Sequence, residues 1–411
     1  MSRVPQTAAD LPTTQPKNWS ARWRRRLSYT RWLPSYAWQR MTRPAPAGAV
    51  HLIVALADHF EPSIVPENGR ERAPYAEQER RVERWCAQYP KAADQWRDHD
   101  GFPLEHTYFY PAEQYDRVLL DRLAEHCHRG WGELEIHLHH GMDAPDNAEN
   151  TRRELIAFRD ALVSRHRSLC YLDGSGRPLY GFVHGNFALA NSANDFCCGV
   201  DNEMEILAET GCYADFTMPG AAFHPAQIAK VNSLYECGLP LAGRAPHRRG
   251  RNLQVGRQPR IFPLMVQGPL MLDFDRRARN GFGRIENAAF TGGNPPSLRR
   301  LQLWKKAAIR VEGRPDWIFI KLHCHSMDPT QENAVMGEAF QSFMSELMQG
   351  AGERKETIHF VTARQMINII WAACDGREGN PGDHRDYRLK LLADSALPTR
   401  PATPSHASVR G

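Results

Sequence analysis

The chain has 411 residues, 42% hydrophobic and 24% charged, the balance of an ordinary globular protein with room for one large α/β barrel or two smaller domains. Its formal charge is +5, but the first 50 residues carry nine Lys or Arg against a single acid, Asp10, so the rest of the chain is net negative and is not expected to bind nucleic acid. No stretch approaches the roughly 20 apolar residues of a membrane span. Met1 to Pro16 lacks the apolar core of a secretory signal, and nine cysteines without scaffold-like spacing point to reduced thiols, so a cytoplasmic protein is expected.

Residues 1–49 read as a basic aromatic extension and linker. Between 17 and 43, Arg22, Arg24, Arg25, Arg26, Arg31, Arg40 and Arg43 are interleaved with Trp19, Trp23, Tyr29, Trp32, Tyr36 and Trp38. Such a segment suits peripheral contact with an anionic membrane, at the inner face for a cytoplasmic protein, or packing of its rings on the domain, and Pro34 interrupts any long amphipathic helix. Residues 50–375 read as one domain in which strands alternate with helices. Val50 to Ala57 is nearly all apolar, as in a strand covered on both faces. A charged helix follows from Pro74 to about Tyr89, where Pro90 ends or kinks it. The pattern then predicts a strand at His106–Tyr110, a helix at Ala112–His128, a strand at Leu134–His140 and a helix opened by a capping box at Thr151. Further strands are expected at Tyr180–His184, Tyr213–Met218, Ile261–Val266 and Trp317–His323. Helices are expected at Asp201–Thr210, Pro225–Glu236, Ser297–Val311 and from Phe360-Val361-Thr362 to Ala373. About seven strands alternating with helices argue for a parallel α/β barrel or a barrel-like sheet. Residues 376–411, rich in Pro, Gly, Arg and Ser, read as a flexible tail. Arg248, Arg249 and Arg251 lie in a polar loop, solvated or in contact with an anionic glycan or lipid phosphate.

The chemistry gathers at strand ends. Glu135-Ile136-His137-Leu138-His139-His140 and Ile320-Lys321-Leu322-His323-Cys324-His325 each put two histidines on one strand face, because side chains alternate. The first strand ends in Asp58-His59-Phe60-Glu61, and Asp143 follows the His137 cluster. In a parallel α/β barrel, reactive groups collect at the C-terminal ends of strands. Histidines and carboxylates gathered there suit a divalent ion, zinc foremost, with a carboxylate as base and a histidine as proton donor. Among the carboxylates and histidines offered for such proton transfer are Glu61 and His325.

These motifs resemble the polysaccharide deacetylase family, the fourth carbohydrate-esterase family, over roughly Val50 to Ala373. The resemblance implies a distorted (β/α)7-8 barrel and a metal-dependent hydrolase that removes an acyl group, N-acetyl first, from a saccharide or glycolipid. It assigns Asp58 as base, His59 and His139 as metal ligands, Asp143 or alternatively His137 or His140 as a further ligand, and His323 as general acid. The family's middle Arg-x-Pro-Tyr-Gly motif is not found, and Val183-His184-Gly185-Asn186 stands in its place. Two other readings accompany this one: an amide or imide hydrolase acting on a small nitrogenous compound, and a catalytically degenerate barrel that binds glycan.

Overall fold

A computed structural model describes residues 30–44, 48–66, 68, 71–193, 197–219, 226, 228–277 and 283–393. In chain order it has α1 (Leu33–Thr42), β1 (Val50–His59), α2 (Tyr75–Ala93), β2 (His106–Pro111), α3 (Arg117–His126), β3 (Gly132–Leu138), α4 (Ala148–His166), β4 (Cys170–Leu172), β5 (Pro178–His184), α5 (Glu203–Thr210) and β6 (Cys212–Asp215). There follow β7 (Ser233–Cys237), β8 (Gly250–Asn252), β9 (Leu264–Gln267), β10 (Met271–Arg277), β11 (Gly283–Glu286), α6 (Leu298–Lys306), β12 (Trp317–Cys324), α7 (Glu332–Val335), α8 (Glu338–Gln349), β13 (Glu356–Val361), α9 (Ala363–Cys374) and β14 (Leu389–Leu391). The protein is α/β, built on a large, mostly parallel mixed sheet in which β12, β1, β2, β3, β5, β6 and β9 are successive neighbours.

β1 is the hub. It runs parallel to β12 on one side and, on the other, to β13 along its first half and β2 along its end. Its apolar run splits by alternation into two packed faces. Leu52, Val54 and Leu56 meet Trp85 and Tyr89 of α2, while Ile53, Ala55 and Ala57 join Phe319, Val361 and Ile367 in a second core. Thr362 caps α9 with a complete capping box to Gln365. Inside the sheet, Lys321 of β12 reaches the carbonyls of Phe216 and Met218 beyond β6.

Several expectations are corrected. Ser233–Cys237, expected within a helix, is the buried strand β7, antiparallel to β9, and the polar loop contains β8. β13 and α8 were not anticipated. α2 continues three residues past Pro90 to Ala93, because a proline in the last turn removes only one helical bond. The cap of α4 is Asn147, which accepts from Asn150 N, and Thr151 lies inside the helix. Ala112–Gln114 is a short 3-10 turn, and α3 begins only at Arg117, capped by Asp116. Of the expected flexible tail, residues 376–393 are folded: Leu389 is buried, Arg385 pairs with Asp98 at 2.6 Å, and β14 pairs with β4. Residues 394–411 and 1–29 lie outside the described residues. Within the extension, Trp32 and Tyr36 pack into the second core while Trp38 is exposed. Among the described residues no helix is long and apolar enough to cross a membrane, and all nine cysteines are free.

Two buried histidines away from the candidate site give a pH expectation. Burial, helped by His106, lowers the His126 pKa to about 4, and burial with Arg248 lowers that of His247 to about 3. Both rings bind a proton less readily folded than unfolded. Their stabilising contribution is therefore complete above the unfolded value of about 6.5 and is lost as pH falls through 4 toward 3. Urea denaturation between pH 7 and 4 should show stability falling, by on the order of 3 kcal/mol from His126. A stability unchanged over that range contradicts the assignment.

Candidate metal centre

Four neighbouring parallel strands, β12, β1, β2 and β3, deliver the site from their C-terminal ends. In register, Ala57 lies opposite His323, His59 opposite Phe109, and Pro111 opposite His137. Residues in register share a face, so His59, His137 and His323 point to the same side of the sheet. Glu61 follows two positions past β1, His139 one position past β3 and His325 one position past β12.

The hydrogen bonds fix which nitrogen of each ring faces inward. His137 Nδ1 lies 2.9 Å from the carbonyl oxygen of Val183 on β5. A carbonyl only accepts, so Nδ1 carries the proton and the neutral ring leaves Nε2 bare. That bare Nε2 is 3.3 Å from Glu61 Oε1. His139 repeats the arrangement: its Nδ1 is 2.8 Å from Glu113 Oε1, and its Nε2 is 3.8 Å from the same oxygen of Glu61. His325 Nε2 is 4.0 Å from it. The His59 ring lies between them, with centroids 4.9 Å from His137 and 4.6 Å from His325. One ligand atom from each of His59, Glu61 and His137 falls within 4.8 Å of the others.

Lone-pair acceptors directed at one another repel unless a cation lies among them. Two ligands each about 2.0–2.2 Å from a tetrahedral zinc are about 3.4 Å apart, close to the His137–Glu61 separation. The residues present therefore fit a divalent ion, and the carboxylate and carbonyl behind the two imidazoles are the outer partners such ligands commonly have. Without an ion, a proton takes part of that role. Burial opposes charge on His139, but Glu113 and Glu61 outweigh it and hold its pKa at about 9. Burial likewise opposes ionisation of Glu61, but His139 and His137 bring its pKa down to about 2. Burial, reinforced by the neighbouring imidazoles, keeps His59 neutral, and burial also lowers His137.

Of the residues expected from sequence, His59, Glu61, His137, His139 and His325 come together, and His323 adjoins them, 6.2 Å from His59 between ring centroids. Burial, Lys321 and His325 depress the His323 pKa to about 3, so the ring is neutral near pH 7 and has no second proton to give in this state. Asp58 is not in the site. Adjacent residues on a strand point to opposite faces, and with His59 facing the site Asp58 is sealed behind it, fully buried. There it lies 2.9 Å from His106 Nδ1 and accepts the Ser326 N–H at 2.9 Å, which ties the segment carrying His325 to β1. Asp143 is exposed in the loop after β3 and belongs to none of the convergent ligand groups among the described residues. His140, an alternative ligand by sequence, turns away: its Nδ1 is 2.7 Å from Asp146 and its Nε2 3.0 Å from Glu203 of α5, which anchors the loop behind His139. Glu113 was missed. The signal was available, since it lies two residues beyond β2, at the C-terminal end of a parallel strand, where α/β sheets gather functional groups.

Comparison of the chain with protein-family models finds no match, and comparison with curated proteins finds no significant one.

Proposed function

We propose that the chain is a metal-dependent hydrolase that removes an acyl group, N-acetyl first, from a saccharide or glycolipid at the cytoplasmic face of the membrane, on a distorted barrel of the polysaccharide deacetylase type. The observation that carries this reading is the convergence of His137 Nε2 and His139 Nε2 on one carboxylate oxygen of Glu61, at 3.3 and 3.8 Å. Lys321 reaching from β12 to the end of β6 supports the barrel, since it links two strands that are not neighbours in the sheet.

His59, His137, His139 and Glu61 would hold the ion. When bound there, a divalent ion supplies a water that ionises near neutral pH and polarises a carbonyl. Glu113 keeps the His139 proton on Nδ1, and Val183 does the same for His137. His325, with 30% of its side chain exposed, is the member best placed to exchange protons with a substrate at the mouth. His323 gains a proton only when negative charge develops beside it, which confines its action as an acid to the reaction itself. Asp58, sealed by His106 and Ser326, serves as a positioning residue, and the base falls to His325.

One observation favours a second reading. With Asp58 off the site and the Arg motif missing, the barrel departs from its family at the base, as a degenerate glycan-binding protein would. Acetate release from a panel of N-acetylated oligosaccharides, with cyclic ureides as the competing substrate class, separates the readings. Release of acetate that a chelator stops and zinc restores is expected. Turnover of ureides alone moves the chain to the amide and imide hydrolases, and no turnover by zinc-loaded protein overturns the hydrolase reading.

A further inference from the structure

Away from the histidines, α1, the β7–β8 edge and the segment after α6 enclose a cleft of about 840 Å³. It shares no lining residue with the candidate metal centre. Five cations line it: Arg43, Lys230, Arg248, Arg249 and Arg310. The single carboxylate present, Glu312, is engaged by Asn252 Nδ2 at 2.6 Å.

None of the five cations forms an ion pair among the described residues. Elsewhere the protein pairs its arginines freely, as where Arg122 meets Glu79 and Glu83, or Arg299 meets Asp273. What holds the cleft cations is neutral: Arg43 donates to the Asn232 carbonyl, Arg248 to the Ser192 carbonyl at 2.9 Å, and Lys230 to Asn252 Oδ1 at 2.5 Å. Five like charges around one recess are opposed by the single charge of Glu312, so a net repulsion remains. The strain shows in Lys230, whose pKa burial and Arg43 bring down to about 8, and in Arg43, lowered by burial and Arg310.

We propose that this cleft binds a phosphate-type anion, a phosphoryl or diphosphoryl group carried on a larger organic molecule. A single carboxylate is satisfied by one guanidinium fork, whereas several cations around one recess match a multiply charged anion with oxygens on every side. The volume exceeds that of a free phosphate, and Trp38, 65% exposed on α1, offers a flat face for the rest of the ligand. The anion comes either from a soluble phosphate ester or from a lipid headgroup, and both present the same chemistry.

The test is calorimetric titration of the full chain with inorganic pyrophosphate, alongside cosedimentation with phosphatidylglycerol vesicles. Arg310→Gln removes one charge-assisted contact and should weaken pyrophosphate binding about tenfold. Glu312→Gln removes the opposing charge and should tighten it, an outcome no misfolded variant gives. Vesicle binding that pyrophosphate competes away and Arg310→Gln weakens assigns the anion to lipid. Pyrophosphate binding without vesicle binding assigns it to a soluble ester. Failure to bind pyrophosphate, binding unchanged by both substitutions, or vesicle binding that pyrophosphate does not compete overturns the proposal.

Discussion

Replacing His137 by alanine is expected to end stoichiometric zinc binding, and Glu113→Gln to weaken it by about 10- to 100-fold. The two substitutions act at different depths. His137 offers its bare Nε2 toward Glu61 at 3.3 Å, held by the Val183 carbonyl at its Nδ1. Removing the ring deletes a ligand and leaves its place open to water. Glu113 contacts no ion in this reading. It fixes the His139 tautomer through the 2.8 Å contact to Nδ1, and a glutamine keeps the shape while giving up the negative charge that makes the imidazole a better donor. Competition titration against a chromogenic chelator measures both. Equal zinc affinity in wild type and His137→Ala contradicts the ligand assignment, and an unchanged affinity in Glu113→Gln removes the outer-partner role.

Arg364→Met is expected to destabilise the fold by about 3–5 kcal/mol. Arg364 is almost wholly buried at the start of α9, with Glu133 of β3 at 2.7 Å, Asp386 at 2.5 Å and the Leu389 carbonyl at 2.8 Å. One guanidinium thus ties α9, β3 and the C-terminal segment together. Methionine fills much of the volume but leaves Glu133, itself buried, with an uncompensated charge, and the cost of that exceeds any gain from removing the arginine's own desolvation. Urea denaturation should show a lower midpoint with an unchanged slope. A loss below about 1 kcal/mol contradicts the role given to this buried pair.

The same segment shows why part of the fold is hidden from sequence. Residues 376–393 are polar and rich in Gly and Arg, and their order depends on Arg364 and Asn368 of the preceding helix and on Asp98, far away in the chain. Local composition cannot carry that information. β7 was misread for a different reason. Ile228, Val231, Leu234 and Tyr235 recur at helical spacing, yet the first two lie in the segment before β7 and only Leu234 and Tyr235 are in the strand, one on each of its two covered faces, and a short apolar run does not distinguish the two cases. The histidine pairs, in contrast, were legible, since alternation along each strand alone aims His137 with His139, and His323 with His325, to one side. Applied strictly, the same rule separates Asp58 from His59, and only the family motif argued for keeping them together. Glu113 carries no periodic signature, but its place just past the C-terminal end of the strand expected at His106–Tyr110 was legible.

The central claim, that His59, Glu61, His137 and His139 surround one divalent ion, is tested most directly by anomalous scattering at the zinc edge from crystals of chelator-free protein soaked in zinc. A single strong peak bounded by those four side chains is the expected outcome. A map with no peak between them, while zinc occupies other positions, contradicts it.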